Sequence, residues 1–387
     1  MKIGIYLSSI NRELGGGARF ESEITQAIAK QVGDQFEFHL ISHHPTASFE
    51  LPHIHIPYPS PSSRKRFWGE KLRLVSPRGS HAERTKQILA AQGIDLLYSP
   101  HPSSLSQDIP FVVTCWDLQH RVQPFFPEVS TIGHTWNERE SHYRETLPRA
   151  AAVITGTEQG KGEVEHFFGV DPDRICVIPF SVPQTLQAST AAKPPWAPDK
   201  PFIVYPAQFW PHKNHATIIL ALDKLKKEYG TELTAVFPGS SKMDGTCTEG
   251  YIESLARAHE ISVNFPGFIS DQELRWLYEN AQALVFASLF GPDNLPPIEA
   301  MSLRCPVIAS NVRGAEEQLG DAALRVPPTD PTAMASALQR LTSDKVARAD
   351  LIERGIQLTK SRSMQHYIDK LMQLFDQLAK YRRCWAP

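Results

Sequence analysis

The stretch Phe290-Gly-Pro-Asp-Asn-Leu-Pro-Pro-Ile-Glu-Ala-Met301, followed by Cys305-Pro-Val-Ile-Ala-Ser310, is the most informative part of this chain. The pattern predicts a strand at Ala283–Ala287, then a loop, a helix and a second strand. Asn294 is placed to cap the helix, and two prolines fall in its first turn, where a missing N–H costs little. A strand, turn and helix in this order are typical of parallel α/β sheets.

The start of this helix has groups that could hold a ligand. Because the two prolines donate nothing, the amides of Asn294, Leu295 and Ile298 are left to contact one. A helix N-terminus at the carboxyl end of a strand favours anions, so we expect a diphosphate there. Glu299, just inside the helix, could accept hydrogen bonds from a sugar hydroxyl.

Length and composition predict a globular chain with two domains. For 387 residues we expect two domains of roughly 150–200 residues each. A hydrophobic content of 41% supports sizeable cores. The net charge of −2 argues against general nucleic-acid binding.

The cysteines and the lengths of the apolar runs indicate in which cellular compartment the protein is expected. Five scattered cysteines without C-x-x-C spacing favour a reducing environment and no structural zinc. The apolar run at the N-terminus is too short for a signal peptide, and no run approaches the roughly 18 apolar residues of a membrane span. We expect a cytoplasmic protein, with peripheral attachment to the inner membrane face left open.

Short apolar runs alternate with segments of helical period along the chain. Strands are expected at Ile3–Leu7, Phe36–Ile41, Leu96–Tyr98, Phe111–Thr114, Ala152–Thr155, Cys176–Ile178, Phe202–Tyr205, Thr234–Phe237, Val263–Phe265, Ala283–Phe286, Val307–Ala309 and Ala323–Val326. Helices are expected at Phe20–Gln31, His215–Glu228, Gln272–Ala281, Pro331–Thr342 and Ser361–Lys380. This alternation predicts an α/β chain with doubly wound parallel sheets.

The series is interrupted once, by a polar, proline-rich stretch near residue 190. We therefore predict two Rossmann-like domains, at 1–185 and 200–360, joined by a linker at 186–199. The segment 361–387 is expected to form a helix that packs back on the N-terminal domain.

Residues 64–86 combine basic side chains with Phe67 and Trp68. Such a mixture suits an anionic membrane surface or a lipid-diphosphate acceptor. A solvated loop and helix face would explain the same charges.

Two loops of the chain could approach a phosphate. Gly16 and Gly17, in a glycine turn between a strand and a helix, let backbone amides come close to a phosphate or a sugar, although the turn could simply connect the two elements. Lys213 follows the first strand of the second domain and would face the Asn294 loop at the same sheet edge. By itself, a lysine at a helix start is usually only exposed.

Other polar and aromatic residues follow strand ends. A flat base could stack along Phe265-Pro-Gly267-Phe268, or this could be an ordinary turn with Ser270 or Asp271 as the helix cap. In the first domain, Asp117, His120, Arg121 and His101 are candidates to line a cleft, and buried structural histidines are the alternative. The pairs His53/His55 and His43/His44 have no matching carboxylate or cysteine, and Asp171-Pro-Asp173 suits a turn, so no metal site is predicted.

These motifs together resemble the retaining glycosyltransferases of family four, which have the GT-B architecture of two Rossmann-like domains around a cleft. The matching segments are Pro211-His-Lys-Asn214, Asn264-Phe-Pro-Gly267 with Glu273-Leu274, Leu295-Pro-Pro-Ile-Glu-Ala-Met301, Cys305-Pro-Val-Ile-Ala-Ser310, Gly314-Ala-Glu-Glu-Gln-Leu-Gly-Asp321, Ala152-Val-Ile-Thr-Gly-Thr157, Gly169-Val-Asp-Pro-Asp-Arg-Ile-Cys-Val-Ile-Pro179 and the glycine loop at 15–17.

The resemblance implies a nucleotide diphosphate-sugar donor on the C-terminal domain and an acceptor on the N-terminal domain. Lys213 would contact the diphosphate, Phe265–Phe268 would border the base, and Glu299 would bind the ribose. The Asn294 and Leu295 amides would face the donor's phosphate and sugar. No cofactor or catalytic metal is expected, since positive side chains and helix ends can stabilise the leaving diphosphate.

The chain departs from the family pattern at three positions. Gly291 stands where the first glutamate of the Glu-x7-Glu pair is usual, and Asp293 is a candidate substitute as a ligand for sugar hydroxyls. Gln208 replaces an arginine in the donor site. The His-Asp that often follows the first-domain strand reads Trp116-Asp117, and His120 is a candidate for the histidine's role. We assign catalytic roles to His120, Asp117 and Lys213.

The leading hypothesis is a retaining, metal-independent hexosyltransferase acting in surface polysaccharide biosynthesis. Its acceptor would be a glycan or a lipid-linked sugar, and mannose is a guess for the hexose. Two alternatives remain open: a nucleotide-sugar-binding subunit without catalysis, and a GT-B sugar-nucleotide epimerase.

Overall fold

A computed structural model describes residues 1–7, 16–31, 35–44, 49–57, 77–130, 135–240 and 248–385. Within these ranges the chain forms two α/β units, each built on a parallel sheet. The predicted fold class is therefore confirmed. Most of the basic segment at 64–86 lies outside the described residues.

The N-terminal unit contains, in its described part, seven parallel strands in the order β3-β2-β1-β4-β5-β6-β7. The strands are β1 Lys2–Tyr6, β2 Glu37–Ser42, β3 His53–His55, β4 Leu96–Ser99, β5 Phe111–Thr114, β6 Ala152–Thr155 and β7 Ile175–Val177. Its helices are α1 Gly16–Ala29, α2 Pro77–Ala91, α3 Gln119–Val122, α4 Trp136–Thr146 and α5 Glu158–Phe168. The next helix along the chain, α6 Gln184–Ala188, packs on the C-terminal unit.

The C-terminal unit contains, in the ranges described, six parallel strands in the order β10-β9-β8-β11-β12-β13. The strands are β8 Phe202–Val204, β9 Thr234–Pro238, β10 Val263–Gly267, β11 Ala283–Phe286, β12 Val307–Ser310 and β13 Leu324–Val326. Its helices are α7 His215–Tyr229, α8 Thr248–Ala258, α9 Asp271–Asn280, α10 Leu295–Ser302, α11 Ala315–Leu319, α12 Pro331–Ser343 and α13 Lys345–Lys360. The last helix of the described chain is α14 Met364–Arg382.

The central strands are buried along their whole length, which explains their continuous apolar sequences. Every residue of β4, β5, β6, β11 and β12 is buried. Helices cover both faces of a parallel sheet, so neither face needs polar side chains. In the N-terminal unit the two faces form separate clusters, one around Ile5 and Ile154 and the other around Val113 and Val153.

Helix α14 packs on the N-terminal unit, although it is the last element of the chain. Tyr367, Leu371 and Phe375 are buried in the same cluster as Ile3 and Ile5. These aliphatic and aromatic contacts complete one face of the N-terminal sheet. That unit is therefore built from both ends of the chain.

The chain passes between the two units twice, at neighbouring points. Its first passage follows β7, and its second precedes α14. At the meeting point the Val182 amide donates to the Arg362 carbonyl at 2.9 Å. The stretch predicted as a linker begins within α6, whose Leu186 is buried in the C-terminal core.

Several elements were not among the named predictions, including the helices α2, α4, α5, α8 and α13, the strand β3 and the short helix α6. The three residues of β3 extend the edge of the N-terminal sheet, and α6 interrupts the polar connection. Among the helices that the structure describes, none is long and apolar enough to cross a membrane.

Candidate active site

A cleft of about 800 Å³ lies between the two units. The start of α1 and the connection that follows β5 contribute to one wall, and the connections that follow β8, β9, β10 and β11 contribute to the other. Parallel strands of one sheet end at the same edge, which is where open α/β sheets bind ligands. The fold therefore brings together loops that are far apart in sequence.

Most of the predicted site residues line this cleft. They are Gly16, Gly17, Asp117, Gln208, Lys213, Phe268, Asp293, Asn294, Leu295 and Glu299. Phe265 is half-buried and outside the lining, with its ring 5.7 Å from that of Phe209 and 6.0 Å from that of Phe237. Gly267 is also outside the lining, and its carbonyl accepts a hydrogen bond from the Gly239 amide.

Helix α10 points its N-terminus into the cleft. Asn294 occupies the cap position, but its side chain makes no cap hydrogen bond and instead donates to the Gly291 carbonyl at 2.7 Å. The predicted side-chain cap is therefore wrong. Gly291 has φ +137°, and a Cβ there would lie 2.2 Å from the Asn294 side chain. A glutamate at residue 291 would not fit this loop.

Lys213 ends a short 3-10 turn that begins at Pro211. The Tyr205 hydroxyl donates to the Lys213 carbonyl at 3.0 Å and so fixes the backbone. The Lys213 ammonium lies 5.8 Å from the centre of the Phe286 ring, and within the described ranges it makes no hydrogen bond or ion pair. Burial lowers its pKa to about 8, while Asp117 and Glu128 act in the opposite direction. It is a cation placed to receive an anion.

Glu299 is buried and already has two partners. Its carboxylate accepts from the Tyr278 hydroxyl at 2.9 Å and from the Arg19 guanidinium at 3.3 Å. Burial raises the pKa of Glu299, and the charge of Arg19 opposes that rise. Arg19 comes from α1 of the opposite unit and also pairs with Asp271 at 2.5 Å. Arg19 lies two residues after Gly17 in sequence, but only the fold brings it close to Glu299.

Asp293 is also buried, and its oxygens accept from several protein groups. They take hydrogen bonds from the Phe180 amide at 3.2 Å, from the Gln318 amide and from Arg362 at 3.5 Å. Burial raises the pKa of Asp293 to about 6, although Arg362 acts to lower it. These contacts join the loop that leads into α10 (residues 290–294, called the α10 loop) to both passages of the chain between the units. Binding of sugar hydroxyls by Asp293 stays a prediction, and it would have to compete with these donors.

His120 lies outside the lining of the cleft, and its catalytic role stays a prediction. His120 is fully buried, its ring stacks on Tyr143 with centroids 5.4 Å apart, and its Nε2 lies 3.2 Å from a Glu140 oxygen. Burial lowers its pKa. Arg121, which pairs with the same Glu140, and His101 are likewise outside the lining.

Of the first-domain residues Asp117, His120, Arg121 and His101, which were candidates to line a cleft, Asp117 does so. Its carboxylate accepts from the Gln119 amide at 3.0 Å. Trp116 beside it packs against the glycine turn, because a Cβ at Gly17 would lie 2.6 Å from the indole ring. Gly17 therefore leaves room for the Trp116 ring and also lines the cleft.

The predictions missed Glu128, which lines the cleft from a 3-10 turn at Pro127–Val129. Its carboxylate contacts the His212 ring from across the cleft. The two residues are 84 positions apart. No local motif marks Glu128, since only the packing of the two units shows its position.

The facing parallel α/β units define the GT-B class. The solved structure of sucrose-phosphate synthase from Thermosynechococcus elongatus matches with a TM-score of 0.74 at 19% identity, over 98% of this chain and 99% of that one. The family models Glycosyltransferase Family 4 and Glycosyl transferases group 1 match residues 14–183 and 187–358. The chain belongs to the family-four glycosyltransferases.

Two curated relatives are bacterial mannosyltransferases. The O-antigen chain mannosyltransferase B of Escherichia coli is 25% identical over 236 residues, which are 59% of this chain and 61% of that protein. The O-antigen chain mannosyltransferase RfbU of Salmonella typhimurium is 27% identical over 222 residues, 57% of this chain and 59% of that protein. The match thus spans about six-tenths of the length of these relatives.

Proposed function

We propose that this glycosyltransferase moves a hexose, with mannose as the first candidate, from a nucleotide diphosphate-sugar to a glycan or lipid-linked acceptor. The reaction would retain the anomeric configuration, need no metal and serve surface polysaccharide assembly. The O-antigen mannosyltransferase relatives support the choice of sugar and of process.

The observation that carries this proposal is the half-buried ammonium of Lys213 in the same cleft as the N-terminus of α10. A diphosphate carries negative charge that increases on its terminal oxygens as the sugar leaves. A preorganised cation and helix amides stabilise such charge without reorganisation. The helix dipole alone contributes only about 0.3–2 kcal/mol, so Lys213 and the amides must act together.

In this proposal the other parts of the donor would lie along the same wall. Phe268, which is 61% exposed, is available to the base. The ribose hydroxyls would donate to Glu299 and share that carboxylate with Arg19, or replace Arg19 there. The acceptor would enter from the side of Asp117 and Trp116, which belong to the opposite unit.

Retention is accounted for by attack on the face from which the diphosphate leaves. The bond between the anomeric carbon and the diphosphate oxygen breaks, and a bond to the acceptor oxygen forms. The acceptor's proton passes to the departing phosphate oxygen, so no protein base is required at that position. Closure of the two units around the donor would limit its hydrolysis.

A donor panel tests this function. The purified chain is incubated with GDP-mannose, UDP-glucose and other nucleotide sugars and a mannose-terminated oligosaccharide acceptor, and the product anomer is read by NMR. We expect transfer with retention, undiminished by EDTA. An inverted product rules out the mechanism, and loss of transfer in EDTA rules out metal independence. Conversion of the donor without acceptor indicates an epimerase, and donor binding without turnover indicates a non-catalytic subunit.

Membrane attachment is a separate part of the proposal. Arg84 and Lys86 are exposed on α2, at the end of the basic segment 64–86. We propose that this segment contacts anionic lipid at the cytoplasmic face of the membrane. Co-sedimentation with phosphatidylglycerol vesicles should fall when the lysines and arginines of 64–86 are replaced by glutamine. Equal binding to neutral vesicles would contradict this.

A further inference from the structure

Glu128 has one carboxylate oxygen that the protein uses and one that it does not. The residue is 4% exposed. One oxygen accepts from the His212 amide at 3.2 Å and also contacts Nδ1 of the same histidine. The other oxygen, Oε2, is buried and has no hydrogen-bond partner among the residues that the structure describes. A buried carboxylate oxygen without a donor is unfavourable. Glu128, the residue that carries it, lines the cleft.

The surroundings of Glu128 keep it ionised. Burial alone would raise its pKa, but hydrogen bonds from His212 and from the backbone amide of Glu128 itself together outweigh burial, and the pKa is lowered. Burial also lowers the pKa of His212, to about 4, so the ring is neutral at neutral pH. The carboxylate charge is therefore not cancelled by a protonated histidine, and the free oxygen is a strong acceptor.

Contacts across the cleft fix the position of Glu128. The His212 carbonyl accepts from the Leu289 amide at 2.8 Å, and the Gln123 side chain donates to the Leu289 carbonyl at 2.9 Å. Glu128 is thus held between the turn that carries Lys213 and the segment that leads into Gly291. This is the part of the cleft next to the proposed diphosphate.

A purely structural role explains the contacts of one Glu128 oxygen but not the presence of a second, unpartnered oxygen. Holding the two units together through His212 requires one oxygen, and a glutamine could provide it without burying a charge. An anion would be repelled by the carboxylate, and Lys213 already supplies the local cation. The missing partner is best matched by a neutral O–H donor, and the group that follows the diphosphate in the donor is a hydroxyl-rich sugar.

We propose that Glu128 Oε2 accepts a hydrogen bond from a hydroxyl of the transferred sugar, which makes Glu128 a sugar-selecting residue supplied by the N-terminal unit. This inference rests on the proposed function. The loop conformation at Gly291 leaves the C-terminal wall without a carboxylate at that place. Recognition of the sugar would then require both units at once.

The test separates binding of the nucleotide from binding of the sugar. Dissociation constants are measured by calorimetry for GDP and GDP-mannose, and for UDP and UDP-glucose, and the pair that the wild type binds is used further. The variants are Glu128→Gln, which keeps the shape, and Glu128→Asp, which keeps the charge. Glu145→Gln is the matched control, because Glu145 is an exposed glutamate on α4.

We expect all variants to bind the nucleoside diphosphate within about twofold of the wild type, which also shows that they fold. The gain in affinity from the attached sugar should fall roughly tenfold or more in both Glu128 variants, as for loss of a charged hydrogen bond, and stay unchanged in Glu145→Gln. Equal losses for diphosphate and sugar nucleotide would indicate that Glu128 only positions the Lys213 turn, which overturns the proposal.

Donors that lack one hydroxyl identify the contact. With monodeoxy donors, one analogue should be transferred poorly by the wild type yet cause no further loss in Glu128→Gln, because the contact is already missing. Additive losses for every analogue, or a change confined to the KM of the acceptor, overturn the proposal. A wild type that binds no nucleoside diphosphate or sugar nucleotide overturns the proposed function itself.

Discussion

At the scale of single residues, Lys213 is the cation on which the proposed chemistry depends. Its pKa is lowered to about 8 by burial, so the ammonium loses its proton just above neutral pH instead of near 10.5. Below pH 8 the side chain is charged and can bind a diphosphate. Above that value it becomes neutral, and the attraction disappears.

The first prediction follows from this titration. Affinity for a nucleoside diphosphate should decline as the pH rises through 8, and calorimetry between pH 6.5 and 9.5 measures it. Lys213→Arg, which stays charged, should remove the decline, and Lys213→Ala should lower the transfer rate about 10²–10³-fold. An unchanged pH profile in Lys213→Arg would show that another group titrates.

The second prediction concerns His120, which is buried and lies outside the lining of the cleft. Replacing it with leucine should lower the free energy of unfolding by about 1–3 kcal/mol, because a packed ring is lost. Glu140 keeps Arg121 and Arg144 as partners. The turnover of the folded enzyme should not change, whereas Asp117→Asn should reduce it. Urea titration and steady-state kinetics give the two quantities, and a hundredfold loss of kcat in His120→Leu would contradict the assignment.

At the scale of elements, α7 begins with a histidine inside an aromatic cluster. The His215 ring centre lies 4.8 Å from those of Tyr205 and Phe209 and 4.9 Å from that of Phe237. Neither ring nitrogen has a hydrogen-bond partner among the described residues. Burial lowers its pKa to about 3. The histidine is therefore neutral when folded and protonates readily only when the chain unfolds.

The third prediction is an acid-dependent loss of stability through this element. A group whose folded pKa lies below its unfolded value stabilises fully above the unfolded value, near 6.5, and loses this contribution as the pH falls. Between pH 7 and 5 His215 should account for about 2 kcal/mol of the loss. His215→Phe should reduce the loss by that amount in urea titrations, while the exposed-site control His366→Phe should not. An equal loss in wild type and His215→Phe would refute this.

Elements could be predicted from sequence where a local pattern determines them. The bounds of Phe111–Thr114, Ala152–Thr155 and Ala283–Phe286 were predicted correctly, because fully buried strands are continuous apolar runs between turn residues. Helix α6 and strand β3 were missed, since each is short and depends on tertiary contacts. Leu186 of α6, for example, is buried only because the C-terminal core covers it.

The same distinction applies to the candidate site. Lys213 and the α10 loop follow strands directly, so their place at one sheet edge could be predicted. Arg19 and Glu128 could not be assigned, because their partners belong to the other unit. The burial of His120 could not be predicted for a related reason: the sequence places it near the end of β5 but does not show that α4 covers it.

At the scale of the whole molecule, the N-terminal unit depends on the last helix of the chain. Phe375 contacts Tyr98 with ring centroids 5.5 Å apart, and the Tyr98 and Tyr367 hydroxyls are hydrogen-bonded at 3.2 Å. The core of the C-terminal unit has no described residue from α14. The two units should therefore respond differently when this helix is weakened.

The fourth prediction is that Phe375→Ala lowers the free energy of unfolding by about 3–5 kcal/mol and does so through the N-terminal unit. Hydrogen exchange should accelerate in β1, β2 and β4 and much less in β8, β9 and β11. Tyr381→Ala is the control, because Tyr381 is on the same helix and 68% exposed. Equal acceleration in both units would show that they unfold together.

The two neighbouring chain passages also limit how the units can move. A single chain connection between two units permits bending and twisting in any direction, whereas two adjacent connections favour rotation about one axis. Asp293 contacts both connections, through the Phe180 amide and the Arg362 guanidinium. The loop that would hold the sugar is thus attached to the axis itself, so a small displacement there becomes a large one at the far rim of the cleft.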